Sequence, residues 1–313
     1  MLLLLIVGVA GWYVSRHYRL RGTENLRVET ASPSGSPATD GKPAAAPQKD
    51  TIRIASINFG PLDAARLARP GVSGPMVQLL RDYDVIALQD IRGRDQATLV
   101  KLLELLNAGG RRFDSVLPDH VGRDPIETYL AFVFDTDTIQ VDRRTVATVD
   151  NRAQQFRHPP LTALFRAKAV PEKEAFTFFL INVHTPSDHV SREVPLLAQV
   201  FRTLRDGPQG EDDVILLGEI GVGDADLQQL GQIANITCAI EGKSTVTRVA
   251  RSVDNILFDR RATTEYTHRS DVIDVMRQFN LPLSDAANIT EHLPIWAEFH
   301  VREGGPGGLL PTP

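Results

Sequence analysis

The chain has 313 residues, 34 Lys+Arg against 39 Asp+Glu, 42% hydrophobic content and 23% charged content, which excludes a disordered, collagen-like or polytopic membrane protein. Beyond residue 50 the balance is 28 basic to 35 acidic side chains, so no domain-wide positive field marks a nucleic-acid partner, although a local basic groove stays open. A single cysteine, Cys238, excludes an internal disulfide framework and a Cys-rich zinc site.

The first element is an apolar run, residues 2–14 (LLLLIVGVAGWYV), followed by Ser15 and a basic group, Arg16, His17, Arg19 and Arg21. A spanning helix needs about 20 apolar residues, and Tyr18 and Leu20 extend the run, with the arginines snorkelling towards headgroups. The run has no basic n-region and no clear small-residue cleavage site. Residues 1–21 are therefore expected to form a single N-terminal membrane anchor, with a cleaved leader or a misplaced start codon as alternatives. Positive charge after the run favours a cytoplasmic domain, but one weak segment leaves the side of the membrane open. Residues 22–50 read as a Pro/Ala/Ser-rich linker, since 31–49 (ASPSGSPATDGKPAAAPQK) carry no apolar periodicity and cannot bury enough surface to order themselves. A loose tail is expected over 303–313 (EGGPGGLLPTP).

Residues 51–302 contain no second linker and no repeat, so one domain is expected. Short β-rich runs fall at 52–57, 84–88, 129–134, 161–166, 176–183, 213–217, 253–258 and 295–301. Helical periodicity falls at 75–82, 95–107 and 192–205. Interleaved strands and helices predict an α/β (α+β) layered fold, and the continuous apolar runs predict sheets covered on both faces.

Polar groups gather where these strands end: Asn58 after the first, Gln89 and Asp90 after the second, His184 after 176–183, Glu219 after 213–217, and Glu291–His292 before the last. Rigid strand ends flanked by accessible loops are where sheet proteins place reactive groups. Asn, Asp and Glu without cysteine suit a hard ion, Mg²⁺ or else Mn²⁺ or Ca²⁺. Such an ion beside histidines and carboxylates suits phosphate-ester hydrolysis, in which one group activates water and another protonates the leaving oxygen.

The ordered series IRIASINFG, DVIALQDIR, ETYLAFVFD, FLINVHTPSD, VILLGEIG, SVDNILFD and TEHLPIWAEF spans nearly all of 51–302 and resembles the endonuclease/exonuclease/phosphatase superfamily, deoxyribonuclease I-like. The resemblance implies a four-layer sandwich of two mixed β-sheets flanked by helices, with the active site at one sheet edge. It also implies metal ligation by Asn58, Asp90 and Glu291. His184 and His292 would be the catalytic histidines, with Glu127 and Asp254 as their supporting carboxylates and Glu219 as a further catalytic group. Arg157 and His158, in FRHPP, would contact the substrate phosphate. Apart from the resemblance, the hydroxyls of Ser244, Thr245 and Thr247 suit either a phosphate-backbone contact or a β-turn. A phosphate-ester substrate is expected, nucleic acid among the candidates, acted on by a monomer.

Four positions depart from the family pattern. Asp stands for Glu at 90, Glu for Asp at 219 and 291, and Gly221 replaces an Asn. Each exchanged carboxylate moves by one methylene, about 1.5 Å, and misplacements near 1 Å can cost about 100-fold in rate. Gly221 deletes a preorganised donor of a kind whose loss elsewhere costs roughly 10²–10³. Two functions remain open: a metal-dependent phosphoesterase of reduced activity, or a catalytically degenerate binding or scaffold module.

Overall fold

Inward and outward apolar rows alternate along the strands and divide the core into layers. The computed structural model describes residues 49–93, 96–118, 128–208 and 210–305; the expected anchor, most of the linker, Glu127 and the end of the tail lie outside them. In chain order the strands are β1 (Thr51–Leu62), β2 (Val85–Arg92), β3 (Phe113–Val116), β4 (Thr128–Asp135), β5 (Ile139–Thr148), β6 (Leu161–Ala167), β7 (Thr177–His184), β8 (Val214–Glu219), β9 (Ile236–Cys238), β10 (Asp254–Asp259), β11 (Tyr266–Val272) and β12 (Ile295–His300). They form two six-stranded sheets, β11-β12-β1-β2-β4-β3 and β5-β6-β7-β8-β10-β9. Pairs β1–β2 and β7–β8 are parallel and their neighbours antiparallel, so both sheets are mixed.

Side chains one residue apart on a strand point to opposite faces. Ile52 and Ile54 of β1 and Phe178 and Leu180 of β7 therefore pack between the sheets, whereas Ala55 and Ile57 face helices on the first sheet's outer side. Those helices are α1 (Ala64–Leu67), α2 (Pro70–Leu80), α3 (Ala97–Asn107), and, after an intervening helix α4 (Val190–Arg205), α5 (Val275–Phe279) and α6 (Leu283–Ile289). Helix α4 covers the second sheet through Val194, Leu197 and Phe201, against Phe179 and Ile181 of β7. The result is the expected four-layer sandwich. Helix α2 starts at Pro70, earlier than the apolar periodicity suggests, because proline fits the first turn while Gly71 and Gly74 carry no apolar signal.

All eight strands expected from the sequence are present and all are interior to their sheets. The four not anticipated, β3, β5, β9 and β11, are the sheet edges. Edge strands lack a neighbour on one side and carry polar side chains that mask the unpaired backbone. The β5 sequence QVDRRT and the β11 sequence YTHRSDV show this pattern, with few positions fully buried. The fold's contacts also reach past residues 51 and 302: Lys49 Nζ lies 2.6 Å from buried Asp84, and Gly304 N donates to Glu265 Oε1 at 2.6 Å.

Near one end the inter-sheet layer turns from apolar to amide. Gln89 Nε2 of β2 donates to Ser56 Oγ (3.1 Å) and to Asn182 Oδ1 (2.7 Å). Asn182 of β7 in turn donates through Nδ2 to the carbonyls of Leu88 (3.1 Å) and Ala131 (3.0 Å) across in the first sheet. The β2–β4 register shifts just after that Leu88–Ala131 pair, and Asn182, fully buried, spans the gap between sheets at the point where the ladder slips. Replacing Asn182 with Ala leaves two carbonyls and one Gln89 N–H bond without this partner. At about 1–3 kcal/mol per orphaned buried group, equilibrium urea unfolding of Asn182→Ala should show a loss of about 3 kcal/mol or more; a loss under about 1 kcal/mol would show that the amide layer does not join the sheets.

Candidate active site

The inward rows continue past the amide layer into the polar groups of the site. Along β1 the row reads Ile52, Ile54, Ser56, Asn58; along β7, Phe178, Leu180, Asn182, His184; along β8, Ile215, Leu217, Glu219; and along β10, run backwards, Phe258, Ile256, Asp254. Cross-strand pairing sets His184 and Asp254 on either side of Glu219. His292 enters from the segment before β12, which is held by its backbone N–H to the Asn58 carbonyl (3.3 Å) and by the Thr290 hydroxyl to the same carbonyl (3.0 Å).

Glu219 Oε2 is the hub. It accepts from Asn58 Nδ2 at 2.9 Å and lies 3.3 Å from His184 Nε2 and 3.7 Å from His292 Nε2. Burial alone would raise this carboxyl, but the His184 hydrogen bond and the two imidazoles' charge hold it below the usual range. His292 Nδ1 sits 2.7 Å from Asp254 Oδ2. Burial would lower the His292 value, yet the charge and hydrogen bond of Asp254, with Glu219 and Glu291, raise it to about 9. Burial pushes Asp254 upward while His292 pulls it back, and the pair's proton resides on the imidazole, the stronger base. Asp254 is itself set by Thr245, whose buried hydroxyl accepts from the Asp254 N–H at 3.1 Å.

The remaining expected residues are placed unequally. His158 stacks on His184 with centroids 4.6 Å apart and an interplanar angle of 5°. Burial, then His184 and Arg157, push His158 down to about 3, so it faces His184 as a neutral ring and is not a cationic phosphate ligand. Arg157 is exposed beside it, its backbone N–H on Glu193 Oε1 at 2.7 Å. Thr247 is buried and its hydroxyl donates to the Thr290 carbonyl at 3.0 Å, which commits that proton to holding the His292 segment rather than a phosphate. Among the described residues His184 Nδ1 is buried without a hydrogen-bond partner; Glu127, its expected support, lies outside them.

Three further oxygen-bearing side chains lie on β1, at the β2 register shift and just before β12. Asn58 Oδ1 accepts from Gly60 N at 2.8 Å. Glu291 lies so close over Gly60 that a Cβ there would come within 2.7 Å of its carboxyl carbon. Asp90 has φ 51°, a left-handed conformation at the β2 register shift that Asp tolerates better than most residues, and its Oδ1 lies 3.4 Å from Arg92 Nε. This all-oxygen set fits a hard divalent ion, and Asn58, Asp90 and Glu291 would hold it. Sequence reasoning missed Arg66, whose charge feels both Glu291 and Asp90, and Thr245 as the support of Asp254; neither has a local signal, because both act across the fold.

At Gly221, φ is +85° and a Cβ would lie 2.5 Å from Val190 Cγ2. Val190, the first residue of α4, fills the space that a side chain at 221 would need.

No family model matches the sequence. The chain is 25% identical over 261 residues to deoxyribonuclease-1-like 1 of Cricetulus griseus, covering 80% of this chain and 84% of that protein. It is 20% identical over 264 residues to deoxyribonuclease gamma of Rattus norvegicus, covering 78% and 83%. In structure it is similar to a humanized D. rerio TDP2 (TM-score 0.54, 14% identity, 80% of this chain and 100% of that one). An endonuclease/exonuclease/phosphatase from Bacteroides vulgatus gives TM-score 0.54 and 15% identity, covering 81% and 100%. The resemblance to the endonuclease/exonuclease/phosphatase superfamily, deoxyribonuclease I-like, holds in sequence and in fold.

The His292–Asp254 pair has a definite pH signature. The folded value of His292, about 9, lies above its ordinary 6.5, so the pair's stabilisation is complete below about pH 6.5 and is lost as pH rises through about 9. NMR titration should find the His292 ring protonated to about pH 9, and Asp254→Asn should bring its midpoint back to 6.5 or below. A wild-type midpoint near 6.5 would show that the ion pair does not form.

Proposed function

We propose that this chain is a divalent-metal-dependent phosphodiester hydrolase, nuclease-like, tethered to a membrane through its N-terminus. The observation that carries the reading is the convergence of two imidazole Nε2 atoms and the Asn58 amide on one point, held by Glu219 Oε2. A pair of imidazoles aimed at one oxygen is an anion clamp suited to a phosphate. The nuclease names of the sequence relatives, and a structure of D. rerio TDP2 complexed with a single-strand DNA product, favour DNA as substrate.

Each side chain has a task in that reaction. His292, kept as imidazolium by Asp254, neutralises the phosphate and donates a proton to the leaving oxygen. Glu219, kept ionised, accepts the proton of the attacking water, while His184 and Asn58 fix its position. His158, neutral and stacked, fixes the plane of the His184 ring. Arg157 stands exposed at the rim where a further phosphate would pass. A hard ion at Asn58, Asp90 and Glu291 supplies charge neutralisation when bound.

The same geometry favours a second reading. Glu219 is one methylene longer than the family's Asp, and its carboxylate already occupies the point on which the histidines converge. In this reading the site is closed by its own side chain and the fold serves as a binding module.

The two readings separate on one experiment, cleavage of DNA and of a generic phosphodiester by the purified chain with Mg²⁺ or Mn²⁺ and with chelator. Slow metal-dependent cleavage, abolished by His184→Ala or His292→Ala, is expected. Glu219→Asp withdraws the carboxylate by about 1.5 Å, and should raise the rate at least tenfold, about 1.4 kcal/mol, when combined with Gly221→Asn and Val190→Ala. Gly221→Asn alone should destabilise the fold, because its Cβ meets Val190 and a φ of +85° strains a side chain there. Inactive wild type with an inactive but folded triple variant would establish the binding-module reading.

The tether rests on residues 2–14 and their basic flank; among the described residues no helix is long and apolar enough to cross a membrane. Full-length chain should leave a membrane fraction with detergent and resist high salt. Release by salt alone would exclude an apolar anchor.

A further inference from the structure

The pole opposite the histidines holds a group of carboxylates that the hydrolase reading does not use. Nine Asp and Glu residues are buried among the described residues. Seven have a Lys, Arg or His within 4.0 Å, as Asp84 has Lys49 and Asp135 has Arg111. The two without one are Asp213 and Glu265, 1% and 0% exposed, and they face each other. With half-buried Glu303 they offer three ligand oxygens within 4.8 Å of one another, and Glu211 adjoins Asp213 on the same terms.

Two oxygens in this group make no hydrogen bond, although the Thr263 hydroxyl near Asp213 partly offsets its burial. Glu265 Oε1 takes the Gly304 N–H at 2.6 Å, but Glu265 Oε2 is buried without a hydrogen bond, and so is Asp213 Oδ1. Buried carboxylates left unpaired are expensive to keep ionised. Burial, reinforced by the neighbouring carboxylates, accordingly pushes Glu265 up to about 7 and Asp213 well above its ordinary range. Either protons or a cation must neutralise the group.

We propose that Asp213, Glu265 and Glu303, with Glu211 at the rim, form a structural site for a hard divalent cation of the Ca²⁺ class. All-oxygen, carboxylate-rich coordination is the chemistry of Ca²⁺ and Mg²⁺. Oxygens within 4.8 Å of one another are close enough to surround one such ion, whose ligands sit at about 2.3–2.6 Å for Ca²⁺. Asp213 leads into β8 of one sheet, while Glu265 precedes β11 and Glu303 follows β12 of the other. A cation here clamps the two sheets at the end where no amide layer joins them. The inference does not rest on the hydrolase reading.

The test is thermal unfolding of the full chain, stripped with chelator and then titrated with Ca²⁺. Background Asp90→Asn/Glu291→Gln removes the carboxylates of the other expected ion. In that background Ca²⁺ at about 100 times its dissociation constant should raise the midpoint by about 5 °C or more, and further substitution of Glu265→Gln or Asp213→Asn should abolish the rise. Calorimetric titration of the background chain should give one Ca²⁺ per chain, a readout that stands even if the cluster variants fail to fold. Absence of Ca²⁺ binding in that background, or a rise that survives Glu265→Gln, overturns the proposal. A metal-free chain stabilised by Glu265→Gln and indifferent to Ca²⁺ would show that protons hold the cluster.

Discussion

The buried amide layer is the constraint on which the rest of this molecule depends. Two sheets pressed together by apolar side chains alone could slide, because dispersion and the hydrophobic effect carry little directional information. Asn182 removes that freedom by donating to two carbonyls of the opposite sheet while accepting from Gln89. It does so at the β2 register shift, so the same feature that breaks the ladder also locks the sheets. The locking matters because Asn58 and Asp90 come from one sheet and His184, Glu219 and Asp254 from the other. A site assembled across two sheets keeps sub-ångström geometry only if the sheets keep theirs.

Beyond that layer the chemistry is organised around a single oxygen. Glu219 Oε2 collects the Asn58 amide and both imidazoles, and its ionised state and the protonated state of His292 support one another. The length of the side chain decides what this arrangement does. The Glu219 carboxylate lies in the gap between the histidines. At Gly221, Val190 fills the space that a side chain would need.

The two ends of the sandwich solve the same electrostatic problem differently. At the histidine end, Asp254 and Glu219 are matched by imidazoles and Asp90 by Arg92. Along the opposite rim Asp84 and Asp135 are matched by Lys49 and Arg111. Asp213 and Glu265 stand outside both schemes, and charge balance in a low-dielectric interior requires that something neutralise them.

The sequence by itself determined the layer class, the eight interior strands and which residues end them. Interior strands are covered on both faces and so read as apolar runs, and the inward row of each can be followed by parity from Ile52 to Asn58 or from Phe178 to His184. The edge strands were not legible, because one-sided pairing lets polar sequences such as that of β5 join a sheet. Nor were the roles of single polar residues: Thr247 and His158 looked like phosphate contacts, yet one is bonded to Thr290 and the other lies stacked and neutral on His184. Tertiary structure alone decided that Glu219 reaches both histidines, that Val190 fills the space beside Gly221, and that Asp213, Glu265 and Glu303 meet. Each is a contact between segments far apart in the chain, and local pattern records what a strand buries but not which distant side chain it is buried against.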